Sequence, residues 1–425
     1  MVEIKPFHGW RYNPERVRLE DVLAPPYDVV SPEEQRLYLT KSPYNVFHLE
    51  LGATYTTDTA NENRYTRAKK YWDNWRQEGI LLREKNPALY LYRLKFSWQG
   101  QKLTRRGLIS LVRLAPWKTR KILPHEKTFD RVTEDRLNLL RATRAQFSQI
   151  FCLYHDKDLK TVKMLEKHAE PLFSVQNKDG THELLRVTAP RVFKEIQNIL
   201  AKGPLYIADG HHRYTTALRF MKEMEEKYGT TPPRCFHYMM MYLCPFEEPG
   251  LLVLPTHRLI SLPYKKEELL KRLKSLGVLQ KLAHFPSGEE LQKFSAAEFL
   301  IFHEGEIFSF RISEDRLKIW AQENHPQIAH LPVAIFTKVL KGAFALSETE
   351  LKEKGRLIYT PWVDLIREKA RGNWWGFLLP PTPVSALEEV AKAGLVMPHK
   401  STYFHPKILT GTVFFEILPD KGPPC

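Results

Sequence analysis

Cysteines and long apolar runs are scarce in this sequence. Its 425 residues include four scattered cysteines (Cys152, Cys235, Cys244 and Cys425), and none belongs to a CxxC pair or a zinc-ligand spacing. We therefore expect reduced thiols, with Cys152 and Cys244 mainly packing inside apolar runs. No apolar stretch is long enough to span a bilayer, and residues 1–12 lack the apolar core of a signal peptide. We expect a cytoplasmic protein with no membrane partner.

Several widespread catalytic signatures are also missing. The sequence contains no G-x-G-x-x-G, no H-E-x-x-H and no G-x-S-x-G pattern. Residues 394–401 approach the phosphate-loop pattern G-x-x-x-x-G-K-[ST]. However, His399 replaces the second glycine, and the segment follows a predicted helix instead of a strand. A standard Walker loop is therefore excluded.

Composition indicates a globular protein with more than one domain. The chain is 43% hydrophobic and 12% aromatic, and 425 residues exceed the usual size of one core. Beyond about Pro263 the sequence pattern changes to short predicted helices and strands. This change predicts one domain over residues 1–262 and an α/β C-terminal domain over residues 263–425.

A net charge of +15 and a pI near 9.4 make contact with polyanions electrostatically easy. The basic residues are dispersed, with no basic arm and no visible helix-turn-helix. A phosphorylated small substrate explains a local basic site equally well, so DNA is a disfavoured partner.

Periodicity predicts several elements. Residues 45–51 alternate as a strand, and residues 61–78 have helical spacing. Residues 89–98 and 103–114 predict a hairpin around Gln99 and Gly100.

A strand, a turn and a helix entrance follow one another in residues 205–218. Residues 205–208 are apolar, a glycine allows a sharp reversal, and apolar residues then recur at helical spacing. Bare N–H groups and the positive end of the macrodipole lie at such a helix start, so an anion there offsets the neighbouring basic side chains. Asp209 is a candidate N-cap, metal ligand or proton acceptor. Alternatively, Asp209 only caps the helix and the histidines are solvated or packed. The candidate phosphate-binding residues are Gly210, His211, His212 and Arg213.

Charged side chains are dense in residues 125–136. Glu126 is a candidate base or magnesium ligand, and His125 is a candidate acid, base or phosphate donor. Lys127 and Arg136 are candidate charge stabilisers. A solvated loop that leads into a helix over residues 134–144 explains the same pattern equally well.

Three further segments carry candidate contacts. The first contains Tyr27 and Asp28 and is a loop stiffened by two prolines. The second contains His257 and Arg258 and ends an apolar strand. The third contains Lys400 and Ser401 and precedes the last predicted strand, residues 411–418. Structural roles remain open for each. The candidate residues are Tyr27 and Asp28 in the first segment and His257 and Arg258 in the second, for substrate, and Lys400 and Ser401 in the third, for phosphate.

Five blocks of the sequence together resemble a bacterial and archaeal family known as domain of unknown function 1015. They extend from near the start to near the end, so the resemblance covers essentially the whole chain. The family name implies no settled activity. The blocks are Ala-Pro-Pro-Tyr-Asp-Val-Val (24–30), Pro-His-Glu-Lys-Thr (124–128) with Asp-Arg-Leu (135–137), Ile-Ala-Asp-Gly-His-His-Arg-Tyr (207–214), Pro-Thr-His-Arg (255–258) and Met-Pro-His-Lys-Ser-Thr-Tyr-Phe-His-Pro-Lys (397–407).

The Asp-Gly-His-His-Arg box at 209–213 also resembles the nucleotide-phosphate box of ParB-type proteins, sulfiredoxins and free-serine kinases related to ParB. Sulfiredoxins carry a reactive cysteine where this chain has His211, which argues against sulfinic-acid repair. The box is closest to the serine-kinase form, which implies a nucleotide phosphate held by the helix start and by Arg213 or the histidines. The resemblance implies an α+β fold with a mixed-sheet, ParB/sulfiredoxin-like nucleotide-binding core. The C-terminal domain adds a loop at 397–407.

Our leading hypothesis is a phosphoryl-transfer enzyme that acts on a small hydroxyl-bearing metabolite, such as serine or phosphoserine. ATP or ADP is the expected donor, and Asp209 and Glu126 are the candidate ligands of Mg²⁺. The candidate catalytic residues are Asp209, Glu126, His125 and His211. The choice of base between the two carboxylates stays open, as does the direction, kinase or phosphatase. The alternatives are a ParB-like, nucleotide-regulated DNA-binding or nuclease-like protein, and a catalytically silent module that keeps the phosphate pocket.

Overall fold

The computed structural model describes residues 1–128, 130–286 and 294–425, which form two compact units. Unit 1 comprises Met1–Pro124, Thr128–Leu251 and Pro406–Cys425, and unit 2 comprises His125–Lys127 and Leu252–His405. The assignment of separate roles to residues 1–262 and 263–425 stays a prediction.

The strands of unit 1 are β1 (Ile4–Lys5), β2 (Trp10–Tyr12), β3 (Leu81–Arg83), β4 (Leu89–Trp98), β5 (Gln101–Arg113), β6 (Ile122–Leu123), β7 (Ala145–Gln146), β8 (Ile150–Tyr154), β9 (Glu170–Asn177), β10 (Gly180–Val187), β11 (Leu205–Asp209) and β12 (Tyr238–Pro245). Those of unit 2 are β13 (Leu252–Leu254), β14 (His257–Ser261), β15 (Gly277–Leu282), β16 (Glu298–His303), β17 (Glu306–Ile312), β18 (Leu357–Thr360), β19 (Trp374–Leu378) and β20 (Tyr403–His405). The last strand, β21 (Phe415–Glu416), belongs to unit 1.

The helices of unit 1 are α1 (Leu19–Val22), α2 (Pro32–Lys41), α3 (Phe47–Glu50), α4 (Arg64–Gln77), α5 (Asp130–Thr143), α6 (Lys160–His168), α7 (Pro190–Leu200) and α8 (His211–Tyr228). Those of unit 2 are α9 (Lys266–Lys274), α10 (Glu314–Gln322), α11 (Pro326–Ala329), α12 (Pro332–Phe344), α13 (Glu348–Glu353), α14 (Val363–Lys369) and α15 (Val384–Lys392). Among the residues that the structure describes, no helix combines the length and apolar character needed to cross a bilayer.

A large mixed sheet organises unit 1. Its strands follow the order β6-β11-β8-β12-β5-β4-β10-β9, with β1 on β5. Strand β11 is parallel to β6 and antiparallel to β8, and β12 is parallel to β8. The apolar residues of the sheet pack against α6, α7 and α8 in one core. The predicted α+β character with a mixed sheet is confirmed.

The predicted hairpin between β4 and β5 is also confirmed. Trp98 pairs with Gln101, so the turn consists of Gln99 and Gly100. Both have positive φ, 48° and 79°, which matches the right-handed twist of the flanking strands.

Unit 2 has its own sheet, in the order β15-β17-β16-β19-β14-β18. Helix α12 lies in its core, since nine of the thirteen residues from Pro332 to Phe344 are buried. Strand β13 pairs with β20 in a separate ladder, so residues 403–405 of the predicted 397–407 loop form a strand.

One predicted strand is wrong, and another is much shorter than predicted. Residues 45–51 contain helix α3, because the side chain of Asn45 accepts the Phe47 N–H at 3.0 Å and so favours a helical turn. Only Phe415–Glu416 of residues 411–418 forms a strand, and Gly411, with a φ of 90°, lies outside strand geometry.

The expectation that all four cysteines are reduced is also wrong. Cys235 and Cys425 form a disulfide across 190 residues of sequence, with a Cα–Cα distance of 6.0 Å. A pair so far apart leaves no local spacing that could reveal it. Cys152 and Cys244 are free and buried, as expected.

Candidate functional site

Strand β11 ends at Asp209, and helix α8 begins two residues later at His211. Gly210, between them, has a φ of 97°, a left-handed conformation that glycine adopts without a Cβ clash. It is the N-cap and provides no side-chain acceptor for the helix start. The prediction that Asp209 caps the helix is therefore wrong. The predicted first-turn placement of His211, His212 and Arg213 is confirmed.

The start of α8 is electropositive. The helix is 18 residues long and has no acidic residue in its first turn, so nothing on its own N-terminal turn offsets the macrodipole. The first amides of any helix lack intrahelical acceptors and point outward. His211 is buried and His212 half-buried beside them. The chemistry suits a negatively charged group.

Arg213 folds back over the Gly210 turn. A Cβ at position 210 would lie 3.0 Å from Nη2 of Arg213, so the guanidinium occupies the space beside the turn. Its Nη1 donates to the carbonyl oxygen of Gln149 at 2.7 Å. Its Nε is buried and makes no hydrogen bond within residues 1–128, 130–286 and 294–425. A cation with unused donor capacity thus lies against the helix start.

The carboxylate of Asp209 forms an ion pair with Lys407, with Nζ and Oδ2 2.7 Å apart. Both side chains are largely buried, at 18% exposure for Asp209 and 14% for Lys407. Lys407 was not among the predicted site residues, although it ends the family-like block at 397–407. Because 198 residues separate the partners, no spacing rule could have paired them.

A second cationic group, Arg136, lies on α5 in unit 1. Its Nη1 donates to the backbone oxygen of Glu50 at 2.7 Å, and its Nη2 pairs with Asp135 at 2.6 Å. The guanidinium lies over the ring of Tyr27, 4.5 Å from the centroid. Burial raises the pKa of Tyr27 to about 12. Asp28, next to it, is exposed.

Glu50 is a buried carboxyl that sequence reasoning missed, because it lies in the segment predicted as a strand. It is only 4% exposed, and its Oε1 accepts the hydroxyl of Ser148 at 3.1 Å. Burial raises its pKa, and the charges of Arg136 and Arg213 oppose that rise. A cavity of about 50 Å³ is lined by Glu50 and both arginines.

In unit 2, the 397–402 loop holds His125 and Glu126. The Met397 N–H donates to the His125 carbonyl at 2.8 Å, and His125 Nε2 lies 3.3 Å from the Thr402 hydroxyl. Glu126 Oε1 lies 2.9 Å from His399 Nδ1.

The neighbouring predicted residues support the same loop. The Lys400 N–H donates to Glu126 at 3.3 Å, and the Ser401 hydroxyl donates to the Pro398 carbonyl at 2.6 Å. Arg258, fully buried, donates from Nη2 to the carbonyl oxygens of His399 and Lys400. Lys127, by contrast, is exposed.

His257 and Arg258 lie within β14, whereas the sequence placed them after a strand. His257 accepts the Leu379 N–H on Nδ1 at 3.2 Å. Burial lowers its pKa to about 3, and the charge of Arg258 acts in the same direction. Contact with a substrate stays a prediction for both residues.

In the described ranges, no three His, Cys, Asp or Glu side chains come together as a metal site. Asp209 faces Lys407, and Glu126 faces His399. Coordination of Mg²⁺ by these two carboxylates therefore stays a prediction.

The predicted site residues fall into two groups. Their meeting in one pocket stays a prediction. Unit 1 contains Tyr27, Asp28, Arg136, Asp209, Gly210, His211, His212 and Arg213, and unit 2 contains His125, Glu126, Lys127, His257, Arg258, Lys400 and Ser401.

A family model described as "Protein of unknown function (DUF1015)" matches residues 4–334. No curated protein matches the chain. Among solved structures, a mutant free serine kinase in complex with ADP is 15% identical with a TM-score of 0.38, over 71% of this chain and 90% of the kinase. A conserved hypothetical protein from Pyrococcus furiosus is 15% identical with a TM-score of 0.34, over 71% of this chain and 93% of that protein. SbnI from Staphylococcus aureus, with a C-terminal truncation, is 11% identical with a TM-score of 0.36, over 71% of this chain and 85% of that one. At these TM-scores the likeness carries no argument about activity.

Proposed function

The chain belongs to the DUF1015 family, and from the geometry of its Gly210 turn we propose that it is a nucleotide-dependent phosphotransferase for a small hydroxyl-bearing metabolite. The observation that carries the proposal is the position of Arg213. Its guanidinium lies against the start of an 18-residue helix, with Nη1 fixed by Gln149 and Nε buried without a hydrogen-bond partner in the described part of the chain. Helix amides and a fixed guanidinium together suit phosphate oxygens.

The reaction makes modest demands on the protein. The terminal P–O bond of ATP or ADP breaks, and the phosphoryl group passes to the oxygen of the acceptor hydroxyl, which loses its proton. The leaving nucleotide keeps the electron pair of the broken bond. The helix start and Arg213 neutralise charge on the phosphates, and His211 and His212 supply further donors. We assign the role of proton acceptor to Asp209, at the end of β11, or to Glu126.

The finer assignments belong to this proposal. We propose a ParB/sulfiredoxin-like core and serine or phosphoserine as the metabolite. We also propose that Mg²⁺ arrives with the nucleotide. The DNA-binding alternative gains no specific support from unit 1, where Arg136 and Arg213 are both engaged with protein groups.

Calorimetric titration with ADP tests the phosphate site. Arg213→Met should weaken ADP binding at least about tenfold, because a charged hydrogen-bond donor contributes roughly 1.5–3 kcal/mol. Arg219→Met is the matched control, since Arg219 lies further along the same helix and pairs with Asp130 on the surface. Absence of ADP binding by the wild type, or equal affinity of the two variants, would contradict the proposal.

Phosphorus NMR of wild-type protein with ATP, ADP or CTP and a panel of serine-like metabolites tests the chemistry. We expect a new phosphomonoester resonance in the wild type and its loss in the Asp209→Asn, His211→Ala double variant. Release of phosphate from phosphoserine without nucleotide would assign the hydrolytic direction instead. Full turnover by the double variant would refute the assigned catalytic residues.

A further inference from the structure

We propose that Lys407, which lies in the C-terminal segment Pro406–Cys425, binds phosphate at the site formed by Gly210, Arg213 and the start of α8. This inference rests on the proposed function and adds a residue to it. The segment belongs to unit 1, and its lysine reaches the end of β11, where it pairs with Asp209 at 2.7 Å.

The backbone on both sides of Lys407 is fixed to the central sheet. Nη2 of Arg105 on β5 donates to the Pro406 carbonyl at 2.6 Å. The Leu409 N–H donates to the hydroxyl of Tyr92 on β4 at 3.2 Å. Arg105 and Tyr92 are both fully buried. Anchors one residue before and two residues after the lysine leave its backbone little freedom.

Gln149 connects Lys407 with the arginine of the helix start. Its side-chain amide donates to the Leu409 carbonyl at 3.4 Å and lies 3.3 Å from the Thr412 hydroxyl. Its backbone oxygen accepts from Arg213 Nη1 at 2.7 Å. One buried residue therefore contacts both Arg213 of α8 and the backbone of the segment that carries Lys407.

A purely structural tether is the competing explanation of the Asp209–Lys407 pair. The segment is already held by Arg105, Tyr92 and Gln149, and the Cys235–Cys425 disulfide fixes its end. An additional ion pair is not needed to keep it in place. An ammonium group has three donors, so the ion pair with Asp209 does not by itself prevent Lys407 from donating to a phosphate oxygen.

The test compares Lys407→Met with Lys421→Met, a control on an exposed lysine of the same segment. The ligands are ADP, by calorimetry, and adenosine, by ligand-observed NMR. Lys407→Met should weaken ADP binding about tenfold or more and leave adenosine binding unchanged, because only ADP has phosphates. Lys421→Met should match the wild type, and Lys407→Arg should retain most of the ADP affinity.

Loss of a lysine also leaves the Asp209 carboxylate without this ion pair, so stability needs its own control. The double variant Asp209→Asn, Lys407→Met has no such carboxylate, and its ADP binding should remain weaker than that of the wild type. Wild-type affinity for ADP in either Lys407→Met background, or an equal loss for ADP and adenosine, would overturn the role of Lys407. A wild type that binds no ADP would overturn the proposed function itself, which distinguishes the two failures.

Discussion

Substituting Gly210 with alanine strains the backbone of the turn and places a Cβ against the charged side chain of Arg213. Gly210 has a φ of 97°, and an alanine held in left-handed geometry costs roughly 1–2 kcal/mol. The new Cβ would also lie 3.0 Å from Nη2 and 3.2 Å from Nε and Cζ of Arg213. These distances are shorter than ordinary van der Waals contact, so the guanidinium must shift by a few tenths of an ångström from its position beside the turn.

Gly229 supplies the control at the other end of the same helix. It is the C-cap of α8, with a φ of 81° and a ψ of 169°, and a Cβ there would meet nothing within 4 Å. That backbone region is essentially restricted to glycine, and a strained residue there costs about 1–3 kcal/mol. Gly229→Ala therefore carries the backbone cost without displacing any side chain.

Urea unfolding and ADP calorimetry separate the two effects. Both variants should lose stability, Gly229→Ala at least as much as Gly210→Ala. Only Gly210→Ala should lose ADP affinity, by at most about tenfold to a hundredfold, since complete loss of a charged donor is worth roughly 1.5–3 kcal/mol. Equal ADP affinity of the two alanine variants would refute the assignment of Arg213 to the phosphate site.

Three other predictions test the fold and the alternative function. Alkylation of denatured, unreduced protein should label two thiols, Cys152 and Cys244, and labelling of all four cysteines would contradict the disulfide. Burial lowers the pKa of His182 in unit 1 and of His257 in unit 2 to about 3 each. Their contribution to stability is present above about pH 6.5 and should fall by up to about 1.4 kcal/mol per histidine and pH unit on acidification towards pH 3. Urea titrations at pH 7, 6 and 5 measure this slope. Duplex DNA should show no binding at about 150 mM salt, whereas strong binding with a steep salt dependence would favour the DNA-binding alternative.

The parts of the site that depend on neighbouring residues could be predicted from the sequence. Residues 205–218 contain an apolar strand, a glycine and a helical repeat in immediate succession, so the strand–turn–helix geometry follows from local preferences. The hairpin at Gln99 and Gly100 was predictable for the same reason.

The parts that depend on distant residues could not be predicted. Lys407 meets Asp209 only because the C-terminal segment returns to the central sheet, where Arg105 and Tyr92 hold it. Glu50 was hidden by a short alternating pattern that fits a strand and a buried helical turn alike. The Lys407–Asp209 pair and the burial of Glu50 both depend on tertiary structure, which the periodicity of the sequence does not reveal.

The cations of unit 1 that surround this site are held by protein groups before any ligand arrives. Arg213 is fixed by a carbonyl, Lys407 by Asp209, and Arg136 by Asp135 and the Glu50 backbone. Much of the side-chain ordering that binding requires is therefore already present, which favours a small anion of defined geometry. A surface for polyanions works differently, because mobile exposed lysines and arginines release counterions on contact. The net charge of +15 does not distinguish these two cases, but the engagement of individual side chains does, and it favours a phosphorylated small molecule.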